Sequence, residues 1–160
     1  MADHIRVAVT GIGSISSLGH NVGEIWAALE AGKTGIAPLT QVPLEQINIK
    51  IGAEVKNYDE TKRFDDRELL VYDRYTQFAL LAAREAMADA GIDFKKDEAL
   101  GLETAVIVAS GVGGWSTIDQ AFYSLHKLGK PRAHPLTIPR MMISAAASQI
   151  SMRFGLKGPA

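Results

Sequence analysis

Apolar positions along this chain fall into two rhythms. Ile5-Arg6-Val7-Ala8-Val9-Thr10 and Thr104-Ala105-Val106-Ile107-Val108-Ala109 are short runs rich in β-branched residues, each closing on glycine. Both read as buried strands. Ile49 to Val55 alternates apolar and polar residues, as a half-buried strand does. The other rhythm is helical. Residues from Val22 to about Ala31 carry an apolar side built on Ile25, Trp26, Ala28 and Leu29. Asn21 stands at the N-cap with Glu24 three residues on, and Gly32 follows the end.

Tyr75 to Ala90 is the clearest helix. Phe78-Ala79-Leu80-Leu81-Ala82-Ala83 is apolar on nearly every side, and Arg84, Glu85 and Asp89 supply a narrow polar strip. Such a helix is mostly buried, and Gly91 caps it. Thr117 to Leu128 is a further helix, broken by Gly129-Lys130-Pro131. Pro139 suits the first turn of a last helix that runs to about Phe154 and stops at Gly155. Asp65-Asp66-Arg67-Glu68 reads as a solvated helix start. Gly35 to Pro43 is a loop, and Lys95 to Glu98 a charged linker. The order β-α-β-α-β-α-α predicts an α/β layered fold.

The sequence has 160 residues, 47% of them hydrophobic and 22% charged, with net charge −1. That is enough chain for one domain with a real core. Near-neutral charge argues against a strongly basic nucleic-acid binder. There is no cysteine, so neither a disulfide nor a thiolate is available in these residues. His4, His20, His126 and His134 are scattered, and no metal site is expected. No apolar stretch approaches the roughly 20 residues of a membrane span, and no signal-peptide pattern opens the chain. These features read as a soluble cytoplasmic protein without membrane insertion.

Three glycine clusters invite functional readings. Thr10-Gly11-Ile12-Gly13-Ser14-Ile15-Ser16 sits between a strand and a helix, the setting of a dinucleotide-binding turn. However, Ser16 holds the third glycine position and the helix starts late. A tight strand exit is the simpler reading; a Rossmann-type NAD(P) oxidoreductase is the weaker alternative. Gly32-Lys33-Thr34 looks like the end of a phosphate loop, but Ala27 stands where its first glycine belongs and no strand feeds it. Gly111-Val112-Gly113-Gly114 follows a strand, where either a ligand or another backbone can come close, or a flexible turn suffices. Ser144, Ser148 and Ser151 share one side of the last helix. No base accompanies them, so hydroxyls bonded back to helix carbonyls are the expected role.

The clusters also carry a resemblance. Val7-Ala8-Val9-Thr10-Gly11-Ile12-Gly13, with Gly19 and Trp26, resembles the opening of the elongating β-ketoacyl-acyl-carrier-protein synthases. Gly32-Lys33-Thr34-Gly35-Ile36, Ala86-Met87-Ala88-Asp89-Ala90-Gly91, Ser110-Gly111-Val112-Gly113-Gly114 and Phe154-Gly155-Leu156-Lys157-Gly158-Pro159 match later segments in order. The resemblance implies the N-terminal half of a thiolase-like fold, with a mixed sheet packed between buried helices in αβαβα layers. Residues 1–160 would be the N-terminal synthase domain, ending just before the nucleophile segment. It implies a homodimer and a decarboxylating Claisen condensation with acyl carrier protein and malonyl-acyl carrier protein, and no cofactor. The catalytic cysteine, histidines and lysine would lie beyond Ala160. A chain-length-factor-like partner without a nucleophile is the alternative.

By the same resemblance, Val112, Thr137 and Ile138 line the acyl pocket, with Thr137 standing where an aromatic residue is usual. Arg63, Arg67 and Arg74 are the candidates for docking the acidic carrier. Leu70 and Val71 replace positive charges there, and Asp65-Asp66 stand beside them. Met141, Ala145 and Ser148 are expected at the dimer interface. The natural protein is expected to be longer, and these residues alone to aggregate or remain partly unfolded.

Overall fold

The computed structural model describes residues 6–159. They form two units, one from residues 6–56 with 82–92, the other from residues 57–81 with 93–159. In the first unit, helix α1 (Val22–Glu30) begins as its sequence predicts: the Asn21 side chain accepts the Glu24 N–H at 2.8 Å. The Glu24 carboxylate returns to the His20 N–H at 2.7 Å. At its far end Gly32, at φ +63°, lets the Gly32 and Lys33 N–H groups turn back onto the Leu29 and Ala28 carbonyls. The Gly32-Lys33 step is therefore a Schellman cap, both N–H groups spent on the helix and not on a phosphate.

Strands β1 (Ala37–Pro38) and β2 (Ile51–Gly52) pair antiparallel, Ala37 opposite Gly52. Only two residues of the expected strand at 49–55 pair. Glu54, just past them, accepts the Thr40 N–H, the Thr40 hydroxyl and the Gln41 N–H at 2.9–3.1 Å, holding the β1 side of the ribbon from the edge.

The second unit opens with helix α2 (Asp66–Val71), whose Asp65 N-cap and Glu68 close a reciprocal capping box. Glu68 also pairs with Arg153. Helix α3 (Arg74–Ala90) supplies its first half to this unit and its second half to the other. Gly91, at φ +68°, ends α3 with the same double turn-back seen at Gly32. Helix α4 (Glu98–Glu103), capped by Asp97, fills the stretch between the expected linker and the expected strand. Helices α5 (Trp115–His126), α6 (Thr137–Met141) and α7 (Ala145–Phe154) follow. The core of this unit gathers Phe64, Tyr72, Leu80, Val106, Ala145 to Ala147, Ile150 and Leu156. Phe64 and Tyr72 meet edge to face, as do Tyr58 and Phe78.

Two expectations need correction. Among the described residues the runs at 6–10 and 104–109 form no strand. Val7 and Ile107 are each 92% exposed. A strand gains its ladder only from a neighbour; among the described residues the Val106 N–H donates to the Pro159 carbonyl, one bond and not a ladder. The expected helix from Pro139 to Phe154 is also two. It breaks at Met142, whose extended φ −61°, ψ 141° carries the chain out of α6 before Ala145 restarts it. No helix among the described residues is long and apolar enough to cross a membrane.

Candidate functional site

The first glycine turn is filled by protein. A Cβ on Gly11 would lie 2.1 Å from the Ala86 carbonyl oxygen, and one on Gly13 would lie 1.9 Å from that of Ala82. These glycines let the chain press onto the backbone of α3. Its N–H groups are taken as well: Ile12 donates to Asp89 at 2.9 Å and Ser14 to Glu85 at 2.9 Å. Glu85 also accepts the Val22 N–H at 2.8 Å, satisfying the start of α1. A pyrophosphate would have to displace two carboxylates and a helix, so the dinucleotide reading fails on geometry. The narrow polar strip of α3 is what holds this turn.

The second glycine turn faces the joint between α6 and α7. Gly113 sits at φ +73°, and a Cβ on it would meet the Met141 carbonyl at 2.6 Å. A Cβ on Gly114 would lie 2.4 Å from the Arg140 carbonyl. Gly114 donates its N–H to the Met141 carbonyl at 3.1 Å, and Gly113 donates to the Ser110 hydroxyl at 2.9 Å. Of the readings the sequence left open, close approach of another backbone is the one realised. Gly111 has open space around its Cβ position, and the Val112 side chain beside it is exposed.

The start of α3 organises the same region. Asp73, 2% exposed, accepts the Thr117 N–H at 2.8 Å and the Thr117 hydroxyl at 2.6 Å. That fixes the first turn of α5 immediately after the glycines. The Tyr75 hydroxyl donates to the Met142 carbonyl and accepts the Ala146 N–H at 3.3 Å. It thereby satisfies the end of α6 and the first turn of α7, where Ser144 provides no side-chain cap. Sequence reasoning found neither residue's role. Asp73 carried a faint signal, an acid just ahead of a helix; Tyr75 carried none.

All nine residues expected from the family resemblance lie in this second unit. Thr137 opens α6 and lines a cleft of about 290 Å³ together with Thr117, Lys130, Arg132, His134 and Arg140. Ile138, the next residue, is exposed. Val112 does not line that cleft. Arg67 is exposed on α2, and Arg63 closes the short turn at Glu60–Lys62. The Arg74 guanidinium stacks over the rings of Tyr58 and Phe78, 5.0 and 5.1 Å from their centroids, so its planar face is already in use. Met141 is half-buried with its carbonyl on Gly114, Ala145 is buried by the chain itself, and Ser148 is exposed. Ser151 does not show the expected back-bond: its hydroxyl is buried with no partner among the described residues.

Lys157 sits 2.6 Å from Glu98 and holds that carboxyl below its ordinary range. The Thr61 and Lys62 side chains do the same for Asp59.

Comparison with known proteins gives this arrangement a setting. The family described as beta-ketoacyl synthase, N-terminal domain, matches residues 5–160. The 3-oxoacyl-[acyl-carrier-protein] synthase 2 of Staphylococcus aureus (strain MRSA252) is 34% identical over 159 residues, 99% of this chain and 38% of that protein. Nodulation protein E of Rhizobium sp. (strain N33) is 38% identical over 154 residues, 96% of this chain and 38% of its own. Among solved structures, the ishigamide ketosynthase/chain length factor superposes with a TM-score of 0.82 at 29% identity, covering 99% of this chain and 39% of the other. A beta-ketoacyl synthase from Burkholderia phymatum gives 0.76 at 25% identity, covering 97% and 38%. The chain thus spans 38% of the length of these curated relatives.

Proposed function

The chain belongs to the β-ketoacyl synthase family and has its thiolase-like α/β fold, and from that premise we propose that the protein is a 3-oxoacyl-[acyl-carrier-protein] synthase. The observation that carries the reading is the match over residues 5–160, joined to relatives of that name at 34% identity across nearly the whole chain. The reaction is a decarboxylating condensation. An acyl group held as a thioester on a cysteine is attacked at its carbonyl by the carbanion that forms as malonyl-carrier protein loses CO2. The C–C bond forms, the thiolate leaves, and a 3-oxoacyl-carrier protein results. A thiolate is suited to both roles, nucleophile and leaving group. The cysteine and its partner histidines and lysine lie outside these residues.

The role of residues 1–160 in that enzyme is scaffold. Val112, Thr137 and Ile138 form pocket wall, and Met141, Ala145 and Ser148 face a second copy in a cytoplasmic homodimer. Ala145 contributes through backbone position, since its side chain is already covered. For carrier docking Arg67 is the strongest of the three arginines, being exposed while Arg74 is stacked. An Arg67→Glu protein binds the acidic carrier more weakly at low salt; equal affinity removes Arg67 from the docking surface.

The second reading, a chain-length-factor-like partner, is kept because one structural relative bears that name beside ketosynthase. Mass spectrometry separates the two. A synthase incubated with acyl-carrier protein gains the mass of one acyl group, whereas a partner without a nucleophile gains none.

A further inference from the structure

The joint between α6 and α7 is held from two sides. The Gly114 N–H binds the Met141 carbonyl, and the Tyr75 hydroxyl binds the Met142 carbonyl and the Ala146 N–H. Locally, the Met142 N–H closes α6 on the Ile138 carbonyl and the Ala145 N–H binds the Met142 carbonyl at 3.0 Å, but Ser144 makes no side-chain cap bond to α7. Thr137 and Ile138 stand on the five-residue helix that ends at this joint. So short a helix has little stability of its own and takes its direction from what holds its ends. The glycine turn presses on Arg140 to Ile143 from the Val112 side, so one joint sets both halves of the pocket wall.

We propose that Tyr75 is a specificity-positioning residue: its hydroxyl fixes the α6–α7 joint and so sets where Thr137 and Ile138 stand relative to Val112. The inference rests on the condensing-enzyme reading for its functional half and on hydrogen bonding alone for its structural half. Tyr75 does not touch the reacting atoms. Removing its hydroxyl leaves the ring in place, frees the Ala146 N–H and leaves the Met142 carbonyl with the Ala145 N–H alone. The helix can then swing, which changes the room at the pocket wall more than the chemistry of the acyl carbonyl.

The test uses the whole natural chain carrying Tyr75→Phe, with two readouts. Amide hydrogen exchange at Ala146 and Ala147 is expected to accelerate at least tenfold, while amides in the middle of α3 and α5 keep their protection. Unchanged exchange at Ala146 overturns the proposal whatever the activity. The second readout is the ratio of kcat/KM for an eight-carbon against a fourteen-carbon acyl-carrier substrate. A shift of threefold or more, with carrier affinity unaltered, is expected. Faster exchange with an unshifted ratio shows a purely structural clamp and overturns the specificity role. If the unmutated protein condenses neither substrate, the functional premise fails and the specificity role with it, while exchange at Ala146 still decides whether Tyr75 holds the joint.

Discussion

Asp73 and Thr117 share two hydrogen bonds, with both the backbone N–H and the hydroxyl of Thr117 directed at one carboxyl oxygen of Asp73. The pair is buried. It joins the start of α3 to the first turn of α5, directly behind Gly113 and Gly114. A pair of this kind is costly to half-remove, because the partner left behind is already out of water. Thr117→Val should therefore lower unfolding free energy by about 2 kcal/mol, measured by denaturant titration of the whole natural chain. A change below about 0.5 kcal/mol, the scale of ordinary surface substitutions, means that the pair is not holding the two helices together.

The glycines of the two turns are predicted to differ sharply from their neighbour Gly111. Gly13→Ala puts a methyl into the Ala82 carbonyl and should destabilise by about 3 kcal/mol or more. Gly111→Ala meets open space and should stay within about 0.5 kcal/mol. Thermal melts of both variants check this; equal melting temperatures would falsify the packing account of the Gly11–Gly13 turn.

What could be read from the chain, and what could not, divides along the same line. Caps are local: Asn21 with Glu24, Asp65 with Glu68, and Gly32 and Gly91 each specify their helix ends within a few residues, and each stands where the pattern placed it. Partnerships across the chain are not local. Glu85 and Asp89 read only as part of a narrow polar strip on α3 until the turn at Gly11–Gly13 is seen to lie on them. The runs at 6–10 and 104–109 have the composition of buried strands, but composition says nothing of which neighbour would pair with them. The break at Met142 is invisible in a helical pattern because its fixing partner, Tyr75, is 67 positions away. The Gly111–Gly114 turn stood out in the sequence, with close approach of another backbone among its readings. The residues that hold the elements around it, Asp73 and Tyr75, did not.

The Glu98–Lys157 pair gives a pH prediction with a definite sign. Lys157, by hydrogen bond and charge, lowers the Glu98 pKa in the folded state. A carboxyl with a depressed folded pKa contributes stability above its unfolded pKa and loses it as pH falls through the folded value. In Lys157→Ala the Glu98 carboxyl should titrate at higher pH, by side-chain NMR, and the acid-side loss of stability should become shallower. Because both groups are exposed, stability near neutral pH should hardly move. A Glu98 titration that stays where it was in Lys157→Ala would show that the ion pair does not persist in solution.

Thr137 is predicted to set pocket volume. An aromatic side chain there would fill space that threonine leaves, so Thr137→Phe should shift products toward shorter acyl chains by several-fold without abolishing turnover. Product analysis by mass spectrometry reads the distribution directly, and an unchanged chain-length profile removes Thr137 from the pocket wall.

The central claim, that these residues are the scaffold of a condensing enzyme, is tested most directly by the reaction itself. The whole natural chain is given acyl-carrier protein and carboxyl-labelled malonyl-carrier protein, and labelled CO2 and 3-oxoacyl-carrier protein are measured together. The account predicts that both appear in equal amounts and only when the acyl donor is present. Release of CO2 without a 3-oxoacyl product, or neither product from a folded protein, would contradict it.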